Sequence, residues 1–301
     1  MDPVLEAGLR AVPAWGGRDL EITPIDAGIT NRNFRVDVGD EAFVLRLSGR
    51  DTDLLGIDRH AEVQAARAAA AAGVGPDVVA FLPDHETLVT RFVPGSPISE
   101  DDLQRPEVLA LVASSVRTIH GLEPIPSSFP VFRIVEDYRR VADDRGVPAP
   151  AAYHDALAVA SIIEDALAVD PTPAVTCHND LLNANFLRDG DHVWIVDYEY
   201  AGMGDRFFDL GNLAVNNSLS DAAQESLLLT YLHDVSDRDR AHLALMRIMS
   251  DFREAMWGVV QQAISTLDVD YVDYANRHLD RLMRSASDER FRDWIEAAKG
   301  G

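Results

Sequence analysis

Cys177-His178-Asn179-Asp180-Leu181-Leu182-Asn183-Ala184-Asn185-Phe186, followed by Ile195-Val196-Asp197-Tyr198-Glu199, is the stretch on which the reading of this chain turns. The pattern is His-x-Asp-x4-Asn, then a short apolar strand, then an Asp. Phosphoryl transfer asks little covalent chemistry of a protein. It needs metal ions that bridge the phosphates, and a carboxylate that orients the attacking hydroxyl and can take its proton. Asp180 can be that carboxylate, and Asn185 and Asp197 offer the hard oxygen ligands that suit Mg2+. Asp180 falls in a loop between strand-like pieces at 174–177 and 192–196, and Asp197 ends the second, so the three side chains can converge on one cleft edge. Two other readings compete. In one, His178 and Asp180 tie down a turn and Asp197 caps a helix. In the other, His and Asp bind a transition metal in a phosphohydrolase, although the chain lacks a second His-rich cluster.

Upstream, residues 1–95 read as β-rich with one helix. Segments 20–25, 33–38 and 42–47 have the β-branched, aromatic and alternating character of strands, with turn residues Asp37-Val38-Gly39-Asp40 between the last two. Residues 58–72 read as a helix, with Asp58 as N-cap, an alanine run of high propensity and Gly73 just past its end. Segments 78–81 and 87–93 read as two more strands. Pro94-Gly95-Ser96-Pro97 then breaks the pattern, which divides the chain into an N-terminal lobe, 1–95, and a C-terminal lobe, 96–301. The second lobe is mostly helical, with apolar periodicity over 103–120 and helical patterns at 134–142, 153–169, 222–231 and 238–264. The expected fold class is α+β: a small antiparallel β lobe with one helix, a large mainly helical lobe, and a ligand cleft between them.

Composition narrows the function. With 301 residues the chain suits one large or two modest lobes. Its net charge of −23, from 27 basic and 50 acidic residues, argues against nucleic acid as a partner. No stretch approaches the ~20 apolar residues that span a bilayer, and the first residues lack the basic and apolar regions of a signal peptide. Cys177 is the only cysteine, so no intrachain disulfide can form. A cytoplasmic location with no membrane partner is the default expectation. Lys299 is the only lysine and lies at the C-terminal end, so buried cationic roles fall to arginine.

Taken together, the segments Gly28-Ile29-Thr30-Asn31-Arg32-Asn33-Phe34, Val44-Leu45-Arg46-Leu47, 178–186 and Asp197-Tyr198-Glu199-Tyr200 carry a resemblance. So does Met256-Trp257-Gly258-Val259-Val260-Gln261-Gln262-Ala263-Ile264-Ser265, with Tyr271 and Tyr274 beyond it. The chain resembles the choline/ethanolamine kinase branch of the aminoglycoside phosphotransferase superfamily, which shares the protein-kinase-like two-lobed fold, from about Pro24 to about Leu282. The resemblance implies ATP and Mg2+ as cofactors. It makes 28–33 the turn over the ATP phosphates, with Gly28 allowing close approach and Thr30 and Asn31 donating; a plain hairpin turn fits that segment as well. Arg46 matches the position that grips the α/β-phosphates, and an inward charge between Leu45 and Leu47 expects Glu62 on the following helix as partner. Arg46 on an edge strand facing solvent, and Glu62 as a solvated helix residue, are the alternatives. Residues Thr90-Arg91-Phe92-Val93 match the hinge whose backbone holds adenine. His178 braces the loop that carries Asp180, and Asp209 anchors its backbone.

For the acceptor, the resemblance implies a small hydroxylated molecule of cationic character, recognised by aromatic faces and carboxylates. Those groups are Glu199, Tyr200, Trp257, Tyr271 and Tyr274; ordinary core aromatics at helical spacing are the competing reading. Two departures stand out. Glu254 occupies a position where choline kinases of the eukaryotic type have a second tryptophan, and Asn216 occupies one where they have a carboxylate. One aromatic wall and one acid are thus expected to be missing. The reading is therefore an ATP- and Mg-dependent kinase acting on a choline- or ethanolamine-like amino alcohol. Its rivals are an aminoglycoside or other small-metabolite phosphotransferase, and a nucleotide-binding regulator without catalysis.

Overall fold

The computed structural model describes residues 3–25, 31–49, 51–83 and 86–300, so the expectations for Gly28 and Thr30 lie outside the described residues. The alternating segments form β2 (Arg32–Val38) and β3 (Glu41–Leu47). They are joined at Gly39, whose φ of +64° is the left-handed conformation that a two-residue hairpin turn demands. With β1 (Glu21–Ile25), β4 (Val78–Leu82) and β5 (Thr87–Arg91) they build one antiparallel sheet in the order β1-β2-β3-β5-β4. β3 is thus the central strand, which excludes an edge position for Arg46.

Strand alternation then decides what covers each face. Phe43, Leu45 and Leu47 point to one side, where they pack with Leu5, Leu9, Val12 and Trp15. Leu5 and Leu9 belong to α1 (Pro3–Ala11), so residues 1–95 contain a second helix besides α2 (Arg59–Ala71), a correction to the single helix expected there. At nine residues α1 is too short to persist alone, and its sequence signal is correspondingly weak; the apolar outer face of β3 holds it. Arg46 emerges on the opposite face, toward α2. That helix starts as the sequence implies, with the Asp58 carboxylate accepting from the N–H groups of His60 and Ala61. Its small-residue face, Ala65, Ala66 and Ala69, joins the large apolar core of the helical part rather than the core under α1.

Beyond the sheet, β6 (Ser96–Pro97) leads into α3 (Glu100–Leu103), α4 (Pro106–His120), α5 (Val131–Asp144) and α6 (Tyr153–Leu167). Three short strands follow, β7 (Val175–Cys177), β8 (Phe186–Asp189) and β9 (His192–Ile195), and then β10 (Gly202–Gly204). β7 pairs with β10, and β8 pairs with both β6 and β9. The chain ends in α7 (Arg206–Asn216), α8 (Asp221–Leu232), α9 (Asp237–Ile264), α10 (Tyr271–Ala286) and α11 (Phe291–Ala298). α9, 28 residues long, opens with a capping box between Ser236 and Asp239 and runs through the middle of the bundle, against α5, α7, α10 and α11.

α7 contains Gly211 and Asn212, both weak helix formers. Its glycine explains its place. A Cβ on Gly211 would come 2.7 Å from the backbone carbon of Met246 and 2.8 Å from the amide nitrogen of Arg247, so only glycine lets α7 lie this close to α9. Gly211→Ala is expected to destabilise the fold by about 1–3 kcal/mol through overpacking, read as a lower urea midpoint with an unchanged slope. An unchanged midpoint would show that the two helices can part without cost.

Candidate active site

The loop that follows β7 is held from below by α7. Asp209, fully buried in the first turn of α7, accepts from the backbone N–H of His178 at 2.8 Å and of Asn179 at 2.6 Å. The His120 ring lies 2.9 Å from the same carboxylate. One turn on, Asn212 Oδ1 accepts from Leu181 N–H at 2.6 Å, and Asn217 donates to the Leu181 carbonyl at 2.9 Å. Asn179 has a φ of +64° and donates through its side chain to the Tyr200 carbonyl. His178 Nε2 sits 3.0 Å from the Val196 carbonyl, which can only accept, so Nε2 carries the proton and Nδ1 is left to receive Asp180 N–H at 3.3 Å. Burial holds the His178 ring neutral by lowering its pKa. His178 and Asp209 therefore act on the backbone of the loop, and the side chain of Asp180 is left for other work.

Asp180, Asn185 and Asp197 meet at one place. Asn185 uses its amide N–H on the Asp180 carbonyl, at 2.9 Å, so among the described residues no donor engages its carboxamide oxygen. The backbone of Asn185 also accepts from Val196 N–H at 3.0 Å, which ties this residue to the strand end preceding Asp197. Asp197 adopts φ +68° and receives Arg46 Nη1 at 2.7 Å. Burial pushes the Asp180 carboxyl well above its ordinary range; Arg253 opposes that, while Glu254 and Asp197 add to it. Burial also raises Asp197, against the pull of Arg46. The Asp197 carboxylate and the free Asn185 carboxamide oxygen are hard oxygen donors of the kind that fits Mg2+.

On the sheet side, a chain of ion pairs runs behind Asp197. Arg46 also bonds to Glu62, and Arg59 donates to Glu62 at 2.9 Å and to Glu199 at 3.3 Å. Asn31 donates to the same Glu199 oxygen at 2.9 Å. Burial works to lower the Arg46 pKa, but Glu62, Asp197 and Glu199 outweigh it and hold the guanidinium charged. Glu199, buried and beside Asp197, has its carboxyl pushed up to about 7. Its carboxylate thus faces Asn31 and Arg59, on the sheet side, and not the aromatic group to which the sequence assigns it. Arg59 was not singled out by sequence; its only local signal is its place three residues before Glu62.

At the expected hinge, Arg91 N–H donates to the Asp77 carbonyl at 2.8 Å and Phe92 N–H to the Ala42 carbonyl at 2.9 Å. Both of these N–H groups are thus engaged by the protein's own backbone. The Arg91 side chain pairs with Glu41 at the surface, and Arg35 lies 4.5 Å over the Phe92 ring.

The aromatic group gathers on the other side of Asp180. Trp257 Nε1 donates to Tyr200 Oη at 2.9 Å, and the Trp257 ring lies 5.9 Å from Tyr271 and 5.5 Å from Tyr274. Tyr274 Oη donates to Glu254 at 2.8 Å. Glu254 lies beside Asn216, whose amide reaches it at 3.3 Å. The acid that the sequence reading found missing at Asn216 is thus supplied by α9, one helix away. Arg253, missed by sequence, is fully buried here: Nη1 donates to Glu254 at 2.7 Å, stands 3.6 Å from Asp180 Oδ1, and the guanidinium covers the Tyr200 ring at 4.2 Å. Despite burial, Arg253 holds the Glu254 carboxyl below its usual range. The signal for this pair was three charges, Asp251, Arg253 and Glu254, inside an otherwise apolar stretch.

Known proteins resemble this chain in sequence and in fold. The model of a phosphotransferase enzyme family, APH, matches residues 21–245. Ethanolamine kinase 2 of Mus musculus is 27% identical, over 91% of this chain and 79% of its own length. The crystal structure of a choline/ethanolamine kinase family protein from Mesorhizobium loti is 32% identical and superposes with a TM-score of 0.86, covering 99% of this chain and 98% of that one. LicA in complex with AMP shares the fold, with a TM-score of 0.76 at 19% identity over 93% of this chain and 98% of that one.

Proposed function

Because this chain belongs to the APH phosphotransferase family and is a small-molecule kinase of protein-kinase-like fold, we propose that it transfers the γ-phosphoryl group of MgATP to the hydroxyl of a small amino alcohol. The observation that carries this reading is the meeting of Asp180, Asn185 and Asp197 between a phosphate-type cation, Arg46, and an aromatic and acidic group around Trp257 and Glu254. The ethanolamine kinases among its relatives and the AMP complex among its structural neighbours support the same acceptor class and nucleotide.

Asn185 and Asp197 would hold Mg2+. Bound there, the ion would supply positive charge against the phosphates. Arg46 presents a planar fork to the α/β-phosphates, kept charged and aimed by Glu62. Asn31 donates to Glu199 and accepts from the Gly49 N–H, which fixes it on the sheet side of the site. Asp180 accepts a hydrogen bond from the acceptor hydroxyl and so points its oxygen at the γ-phosphorus. As the new O–P bond forms and the bond to the β–γ bridging oxygen breaks, the hydroxyl proton passes to Asp180 and ADP leaves with the bonding electron pair. The products are ADP and a phosphomonoester, and Asp180 returns its proton to solvent.

A coupled ADP-release assay over a panel of amino alcohols is expected to show turnover that stops with excess EDTA and returns with added Mg2+. ADP release that is independent of every added alcohol, or indifferent to EDTA, would contradict the reading.

A further inference from the structure

We propose that Arg253 determines acceptor choice: its guanidinium fills the face of Tyr200 that a quaternary ammonium requires, so the acceptor amine is one that carries N–H donors and binds Glu254. This deepens the amino-alcohol reading and rests on it.

Arg253 is 1% exposed, and its guanidinium carbon lies 4.2 Å from the Tyr200 ring centroid and 5.8 Å from that of Phe129. A ring face attracts a cation only within about 6 Å of its centroid, and here that space already holds one. A second cation at the same face meets repulsion from the first. The remaining rings pack on one another: Trp257 lies 5.9 Å from Tyr271 and 5.5 Å from Tyr274, and the Arg277 guanidinium stands 6.0 Å over the Tyr274 ring.

Polar recognition takes the place of a ring face. Glu254 Oε1 accepts from Arg253 and from Asn216, and among the described residues Oε2 accepts only from Tyr274. A carboxylate oxygen has two lone-pair directions, so Oε2 retains one for an ammonium N–H. A trimethylammonium has no N–H and cannot use it. Arg253 lies within reach of both acids, 2.7 Å from Glu254 and 3.6 Å from Asp180. Nε and Nη2 of Arg253 have no hydrogen-bond partner among the described residues, a costly arrangement for a buried guanidinium if it served stability alone.

The test is kcat/KM for ethanolamine, its N-methyl and N,N-dimethyl derivatives, and choline. The protonated dimethyl compound still has one N–H and choline has none, so the largest single drop, at least tenfold, is expected at the last methyl. Arg253→Met should reduce that step below threefold by clearing the Tyr200 face, and Arg253→Lys should keep it. The ratio within each variant cancels any general loss from disturbing Asp180, and thermal unfolding checks that each variant is folded. Choline used as well as the dimethyl compound by the unsubstituted protein overturns the inference and leaves the amino-alcohol reading standing, whether or not the variants fold. A folded Arg253→Met that keeps the tenfold step overturns Arg253 as the determinant. No ADP release with any of the four overturns the amino-alcohol reading, and this inference with it.

Discussion

Asp180→Ala is expected to lower turnover by about 10²–10⁴-fold, the usual contribution of a positioned general base, while the affinity for an ATP analogue changes by less than about threefold. The geometry separates the two effects. The loop backbone is held by Asp209, Asn212 and Asn217, none of which touches the Asp180 carboxylate. Arg46 and Asp197, on the nucleotide side, bond to each other and not to Asp180. The one charged neighbour that loses a contact is Arg253, and it keeps Glu254 at 2.7 Å. Single-turnover rates and analogue titration, measured on the same preparation, distinguish loss of chemistry from loss of binding. A variant within tenfold of the unsubstituted rate would remove Asp180 from the mechanism.

Glu62→Ala is expected to be the most destabilising single change at the site, by about 3–5 kcal/mol, the cost of removing one partner from a buried ion pair. That is a large part of the ~5–15 kcal/mol that holds a typical domain together. Glu62 is 1% exposed and receives both Arg46 and Arg59. Its loss leaves two buried guanidiniums sharing Asp197 and Glu199. Arg46 would then be drawn wholly to Asp197, so the variant should also bind MgATP more weakly. Denaturant unfolding gives the first effect and a rise in KM for ATP the second. A loss below about 1 kcal/mol would mean that water reaches Arg46 once Glu62 is gone, contrary to the burial seen here.

Parts of this site are legible in the sequence because short stretches of chain determine them. Six residues cover Asp180 to Asn185, and the hairpin of β8 and β9 that follows returns the chain to Asp197 just past its end, so one loop and one hairpin bring the three groups together. The Arg46–Glu62 pair follows from a charge between two apolar strand residues, because alternation sends it to the face opposite Phe43 and Leu45. α1 was not legible, since its stability lies in the sheet it covers. Nor were the fates of the Arg91 and Phe92 N–H groups, which depend on Asp77 and Ala42 from other parts of the sheet.

What the sequence determined by itself is the chemistry: a carboxylate, a carboxamide and a second carboxylate at spacings suited to magnesium and phosphate, with an arginine to meet them. What tertiary structure alone decided is the surroundings of the acceptor. Glu199 faces the sheet because Asn31 and Arg59 meet it there. Whether Arg253 and Glu254 face Asp180 or solvent depends on how α9 packs, and α9 meets α7 where Gly211 lies against Met246 and Arg247, in the turns that precede Arg253. A helix presents every residue to some neighbour, and only packing selects which one.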